Sequence, residues 1–160
     1  IAEVEVDGKR EDAIRDGFRL LADYIFGNNM VEKVISMTAP VQQKENKKIA
    51  MTAPVQQQLT GKLWKISFVM PSKYSMDSLP VPNNNRVRLK EILAKKFVVI
   101  EFSGTNSTEN VKEHENQLIN YIEGNQIKII DSPKYAFYNA PWTLPFLRRN
   151  EVMFEIKENF

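Results

Sequence analysis

The sequence predicts an α+β domain made of two strand–helix–strand–strand units, a pseudo-duplication with two helices flanking a curved antiparallel sheet. Three observations carry this reading. Tyr24-Ile25-Phe26-Gly27-Asn28 is echoed by Tyr121-Ile122-Glu123-Gly124-Asn125, and each closes an amphipathic stretch. An Ala-Pro pair in extended sequence follows each exit, at Ala39-Pro40 and Ala140-Pro141. The frame Ile35-Ser36-Met37-Thr38-Ala39-Pro40-Val41 recurs as Ile49-Ala50-Met51-Thr52-Ala53-Pro54-Val55.

The elements follow in order. Ile1 to Val6 alternates apolar and acidic residues, as a short strand does. Glu11 to Phe26 reads as a helix, because Ile14, Phe18, Leu21 and Ile25 fall on one stripe, and Gly27-Asn28 supplies a left-handed stop. Each heptapeptide frame puts Ile, Met, Ala and Val on one face at period 2. Folding the chain back about Glu45 sets Ile35 against Val55 and Met37 against Ala53, which predicts a hairpin with both Met37 and Met51 inward. Leu63 to Met70 is a strand ended by Pro71, and residues 71–86 are a loop rich in Pro and Asn. Arg86 to Phe102 holds strand material, strongest at Phe97-Val98-Val99-Ile100. The second helix runs about 107–123, with Asn106 and Glu109 as a capping box and Val111, Leu118 and Ile122 as the buried stripe.

Composition narrows the function classes. A chain of 160 residues, 42% hydrophobic and 26% charged, fits one globular domain over 1–160. A net charge of +2 with no block of five like charges argues against a nucleic-acid partner held by phosphate contacts. No apolar run approaches the roughly 18 residues of a membrane span. The absence of cysteine excludes disulfides, thiolate zinc sites and iron–sulfur clusters. A cytoplasmic home is the simplest expectation, although the chain opens on Ile1 rather than Met, so a processed or exported form stays open.

Catalytic chemistry finds little purchase. His114 is the single histidine, and no G-x-S-x-G nucleophile motif occurs, so no enzyme is expected and no metal site is predicted. His114 borders the apolar stripe of the second helix, as a partly buried structural residue would. Arg15 and Arg19 stand four residues apart beside the stripe of the first helix. Pro141-Trp142-Thr143-Leu144-Pro145-Phe146-Leu147 gathers large apolar groups in a proline-stiffened turn, which either closes one end of the sheet or forms the lip of a hydrophobic site.

The tandem I-x-M-T-A-P-V frames resemble a signature of the SOUL heme-binding protein family. Residues 17–28 resemble its first helix and exit, Ser67-Phe68-Val69-Met70-Pro71 its central strand, and residues 138–152 its last hairpin. The resemblance implies a distorted antiparallel β-barrel flanked by two helices, as a single SOUL-like heme-binding domain. It also implies reversible, non-enzymatic binding of heme or another porphyrin in a hydrophobic site, as carrier or buffer. By that resemblance the site lies between the first helix and the last hairpin. Phe18, Leu21 and Ala22 face one side of the macrocycle, Trp142, Leu144 and Phe146 face the other, and Arg15 with Arg19 meets the propionates. A lysine of some relatives near the helix exit is replaced by Asp23. Met37 and Met51 are either heme contacts or core. His114 is expected not to ligate the iron. The alternative is an effector-binding or protein-interaction module with no physiological heme role, since the fold resembles effector-binding domains of some bacterial transcription regulators.

Overall fold

The computed structural model describes residues 1–32 and 44–157. Met37 and the first heptapeptide frame lie outside the described residues. In chain order the elements are β1 (Ala2–Val6), α1 (Arg10–Ile25), β2 (Asn29–Glu32), β3 (Lys44–Glu45), β4 (Val55–Thr60), β5 (Leu63–Phe68), β6 (Val81–Pro82), β7 (Arg88–Leu89), β8 (Phe97–Phe102), α2 (Thr108–Gly124), β9 (Lys134–Phe137) and β10 (Asn150–Glu155). A turn of 3-10 helix covers Pro145–Leu147.

The fold is α+β, with a seven-stranded antiparallel sheet in the order β7-β1-β5-β4-β9-β10-β8 and a small sheet in the order β3-β2-β6. The first half contributes β1-β5-β4 and the second contributes β9-β10-β8, joined where β4 pairs with β9. Helix α1 packs on β1 and β5, while α2 packs on β8 and β10. Alternation decides which face they cover. Ala2, Val4 and Val6 are buried, as are Ile66 and Phe68 opposite them, and Val111, Leu118 and Ile122 bring the stripe of α2 into the same core. Gly17 permits the close approach of α1, because a Cβ there would stand 2.9 Å from the Ile66 side chain.

Both helices close with the same backbone device. At α1 the amide of Asn28 donates to the Asp23 carbonyl at 3.0 Å and Gly27 to Tyr24 at 3.3 Å, with Gly27 at φ 122°. At α2 the corresponding bonds run from Ile127 to Ile122 and from Gln126 to Glu123. The left-handed position there belongs to Gln126, at φ 56°, while Gly124 remains helical. The α2 cap is Ser107, whose hydroxyl accepts from the Asn110 amide at 3.3 Å. The expected cap, Asn106, instead gives its carbonyl to Arg10.

Two further expectations are corrected. The second heptapeptide frame forms no hairpin strand: residues 46–54 lie outside regular strands, Ile49 is buried, and Met51 is 48% exposed. Val55 stands in the large sheet, paired with Phe68 on one side and Phe137 on the other. β3 pairs antiparallel with β2, with Val31 opposite Glu45.

The sheet also does not close into a barrel. Its edges are β7, only two residues long, and β8, and no ladder joins them among the described residues. The segment 90–96 runs from one edge to the other, hydrogen-bonded to Ile1 at Lys90 and to Ile156 at Lys96. Seven strands laid flat would separate those edges by about 29 Å. Six residue steps from Lys90 to Lys96, the residues held at those two edges, reach at most about 22 Å. The sheet is therefore curled into a trough, and this segment straps its mouth on the side away from the helices.

Candidate functional site

The eight residues expected to hold a ligand divide three ways. Leu21 is fully buried and Ala22 nearly so, on the face of α1 that meets the sheet, so the core takes up both side chains. Arg15 and Arg19 point to solvent. The Arg15 guanidinium meets Asp12 at 3.0 Å and Asp16 at 3.6 Å, whereas Arg19 makes no ion pair among the described residues. Phe18 is 38% exposed and stands edge-on to Phe68, with ring centroids 5.4 Å apart. Trp142, Leu144 and Phe146 are exposed, Trp142 at 86%.

That exposure is enforced by the backbone. In the β9–β10 connection the Arg148 guanidinium donates to the carbonyls of Thr143 at 2.7 Å and Pro141 at 2.6 Å. The Arg149 amide donates to Asn139 Oδ1 at 2.7 Å, and the Gly104 amide donates to the Pro145 carbonyl at 2.8 Å. Buried Glu151 accepts from Arg149 and from the Tyr138 hydroxyl at 2.7 Å, which fixes both ends of the turn. Burial and this carboxylate push the Tyr138 phenol up to about 12. With its frame fixed, the turn cannot fold Trp142, Leu144, Phe146 and Leu147 inward, and an apolar surface remains in water.

Register places the turn near Phe18. Phe68, Val55 and Phe137 stand side by side in adjacent strands. Phe18 leans on the first of these, and the turn begins directly after the last. His114 is tied elsewhere. Its ring lies flat on Phe102, centroids 4.0 Å apart and 10° from parallel, and Nδ1 donates to the Asn110 carbonyl at 2.8 Å.

A cluster between the helices escaped the sequence reading. Arg10, in the first turn of α1, donates to the Asn106 carbonyl at 3.0 Å and to Gln57 Oε1 at 3.3 Å, over the rings of Tyr135 and Phe137. Its Nε is buried without a partner. Burial lowers its pKa, which Tyr135 and nearby glutamates oppose. The Tyr135 hydroxyl donates to buried Glu115 at 2.7 Å, and Lys112 meets the same carboxylate at 2.8 Å. Burial first, then Glu115, raise the Tyr135 phenol. Two signals were available: an arginine at the positive end of a helix runs against the dipole, and Glu115 interrupts an apolar stripe.

Among the described residues no group of three or more His, Cys, Asp or Glu could hold a metal ion. No described helix is long and apolar enough to cross a membrane. The family model described as SOUL heme-binding protein matches residues 1–155 of the chain. No curated protein matches it.

Proposed function

Because this chain belongs to the SOUL heme-binding protein family, we propose that it binds heme or another porphyrin reversibly and without turning it over, as a carrier or buffer. The proposed site joins the Trp142–Phe146 turn to Phe18 on α1. The observation that carries this is the turn itself, where a rigid, hydrogen-bonded backbone holds large apolar side chains out in water. A flat apolar ligand is the kind of partner such a surface accepts. The residues fit the group in one respect more than another. Trp142, Leu144 and Phe146 supply the apolar wall. Of the two cations, Arg15 is already shared with two aspartates, so Arg19 is the better placed to meet a propionate. A single domain over 1–160, a cytoplasmic home and the duplication of its two units belong to the same proposal. Matching element order supports the duplication, and superposition of residues 1–70 on 90–160 tests it.

The test is a hemin titration followed by tryptophan fluorescence and the Soret band. Trp142 is exposed and Trp64 is 9% exposed, so quenching reports on the turn. Saturable binding near micromolar Kd, about −8 kcal/mol, is expected, with most quenching absent in Trp142→Phe. Iron-free protoporphyrin binds comparably, and His114→Ala stays within about threefold. Absence of saturable quenching below about 100 µM hemin overturns the reading.

A further inference from the structure

The concave side of the trough, opposite the helices, holds a cavity of about 350 Å³, and one of about 570 Å³ adjoins it. The two share Ile1, Gln56, Lys90, Glu91 and Ile92. None of the residues assigned to the porphyrin site lines either one. The floor of the first is sheet and its roof is the strap.

The floor carries donors without partners. Gln56 and Ser67 are register neighbours on adjacent strands, and neither side chain makes a hydrogen bond among the described residues. Lys134 pairs across the ladder with Gln58, two residues along the same face, and all three residues line the same cavity. Lys134 makes no ion pair among the described residues, and its ammonium rests 5.3 Å from the Phe97 ring centroid. Its pKa is lowered, chiefly by burial and then by Lys95. The other cations of the cavity are engaged: Lys90 by Glu3 at 2.5 Å, Lys95 by Glu155 at 2.6 Å, and Lys65 by Glu5 at 3.9 Å. Among the acids, Glu3 is thereby neutralised, Asp131 accepts the Ser132 amide at 2.7 Å, and Glu91 sits exposed on the strap, across the cavity from the floor.

One ammonium and two neutral donors suit a single negative charge, where a phosphate monoester would bring nearly two. The adjoining cavity supplies apolar walls from Val69, Met70, Tyr74 and Leu79. We propose that the strapped trough is a second ligand site, which takes an amphipathic monocarboxylate. Lys134, Ser67 and Gln56 hold the carboxylate, and the apolar tail lies along Met70 and Tyr74.

Titration calorimetry with dodecanoate, kept below its micelle concentration, tests this. A single saturable event with Kd below about 100 µM is expected, with no binding of dodecylammonium, which has the same tail and the opposite charge. Lys134→Met weakens dodecanoate at least tenfold, about 1.4 kcal/mol. Ser67→Val, which also narrows the floor, does the same and stands in should Lys134→Met fail to fold. Trp142→Ala leaves dodecanoate affinity unchanged, which separates this site from the porphyrin site. The proposal is overturned by absence of saturable heat up to about 1 mM, by equal binding of dodecylammonium, by full affinity in the variants, or by displacement of dodecanoate by protoporphyrin.

Discussion

The amide of Gly104 reaches the carbonyl of Pro145 at 2.8 Å, and so the loop that opens α2 supports the base of the exposed apolar turn. Gly104 sits at φ 103°, and a Cβ there would come within 2.8 Å of Asn110 Nδ2. Gly104→Ala therefore strains the backbone and crowds the side chain that donates to Ser103 and Thr105. A loss of about 1–3 kcal/mol is expected in denaturant unfolding. Trp142 fluorescence anisotropy falls with it, because the turn loses an anchor.

Gly17→Ala forces a methyl group against Ile66. The better helix propensity of Ala, worth roughly 1 kcal/mol, offsets part of the cost. Overpacking by 1–3 kcal/mol outweighs it, since the nearby Ile66 Cβ cannot rotate away, so a net loss of about 1 kcal/mol is expected. Urea unfolding at an unchanged m-value checks it.

Met51 gives the opposite result. Its half-exposed side chain lies outside any strand, so Met51→Ala changes stability by less than about 0.5 kcal/mol. A loss of 2 kcal/mol or more, the cost of emptying a core site, would contradict the position described above.

Gln126→Gly stabilises. Gln126 holds the left-handed position after α2, where a side chain is disfavoured. Relief of that cost is expected to raise stability by about 0.5–1 kcal/mol, read as a higher thermal midpoint with helix content unchanged.

Stability falls on the alkaline side. Burial, as the first cause, pushes Tyr24 and Tyr138 up to about 12 and raises Tyr135 as well. The folded state thus holds these phenolic protons more tightly than the unfolded chain. Their contribution is complete below pH 10 and is lost as pH rises toward 12. Unfolding free energies measured from pH 8 to 12 decline over that window, and phenolate absorbance titrates late in the native protein and near pH 10 in denaturant.

Periodicity located what local pattern alone determines. Of the first stripe Leu21 and Ile25 are buried while Ile14 is half-buried and Phe18 exposed. Val111, Leu118 and Ile122 are buried, β1 stands where alternation put it and the Phe97–Ile100 strand where the apolar run put it, and Gly27 takes the left-handed position after α1. Pairing was less legible. The tandem frame matched its own register so well that a hairpin between its copies looked sufficient, but Val55 pairs with Phe68 in the shorter β4–β5 hairpin and with Phe137 from the second half of the chain. The candidate site was legible as residue types and less so as exposure. Trp142 and Phe146 stand in water as a stiff turn allows, while Leu21 and Ala22 belong to the core because they share a helix face with Gly17 and Ile25. Arg10 and Glu115 escaped because charged groups at those positions gain their meaning from partners 96 and 20 residues away in sequence, respectively.

Surface connections ordinarily accept extra residues at little cost, because closure entropy grows slowly with length. The segment 90–96 is an exception, since its length acts as a ruler for the curvature of the whole sheet. A few glycines inserted there would leave every ladder intact and let the trough flatten. Shortening it would draw β7 and β8 toward one another. Cavity size thus becomes a property that can be tuned by counting residues in a single loop, without altering any residue that lines the floor.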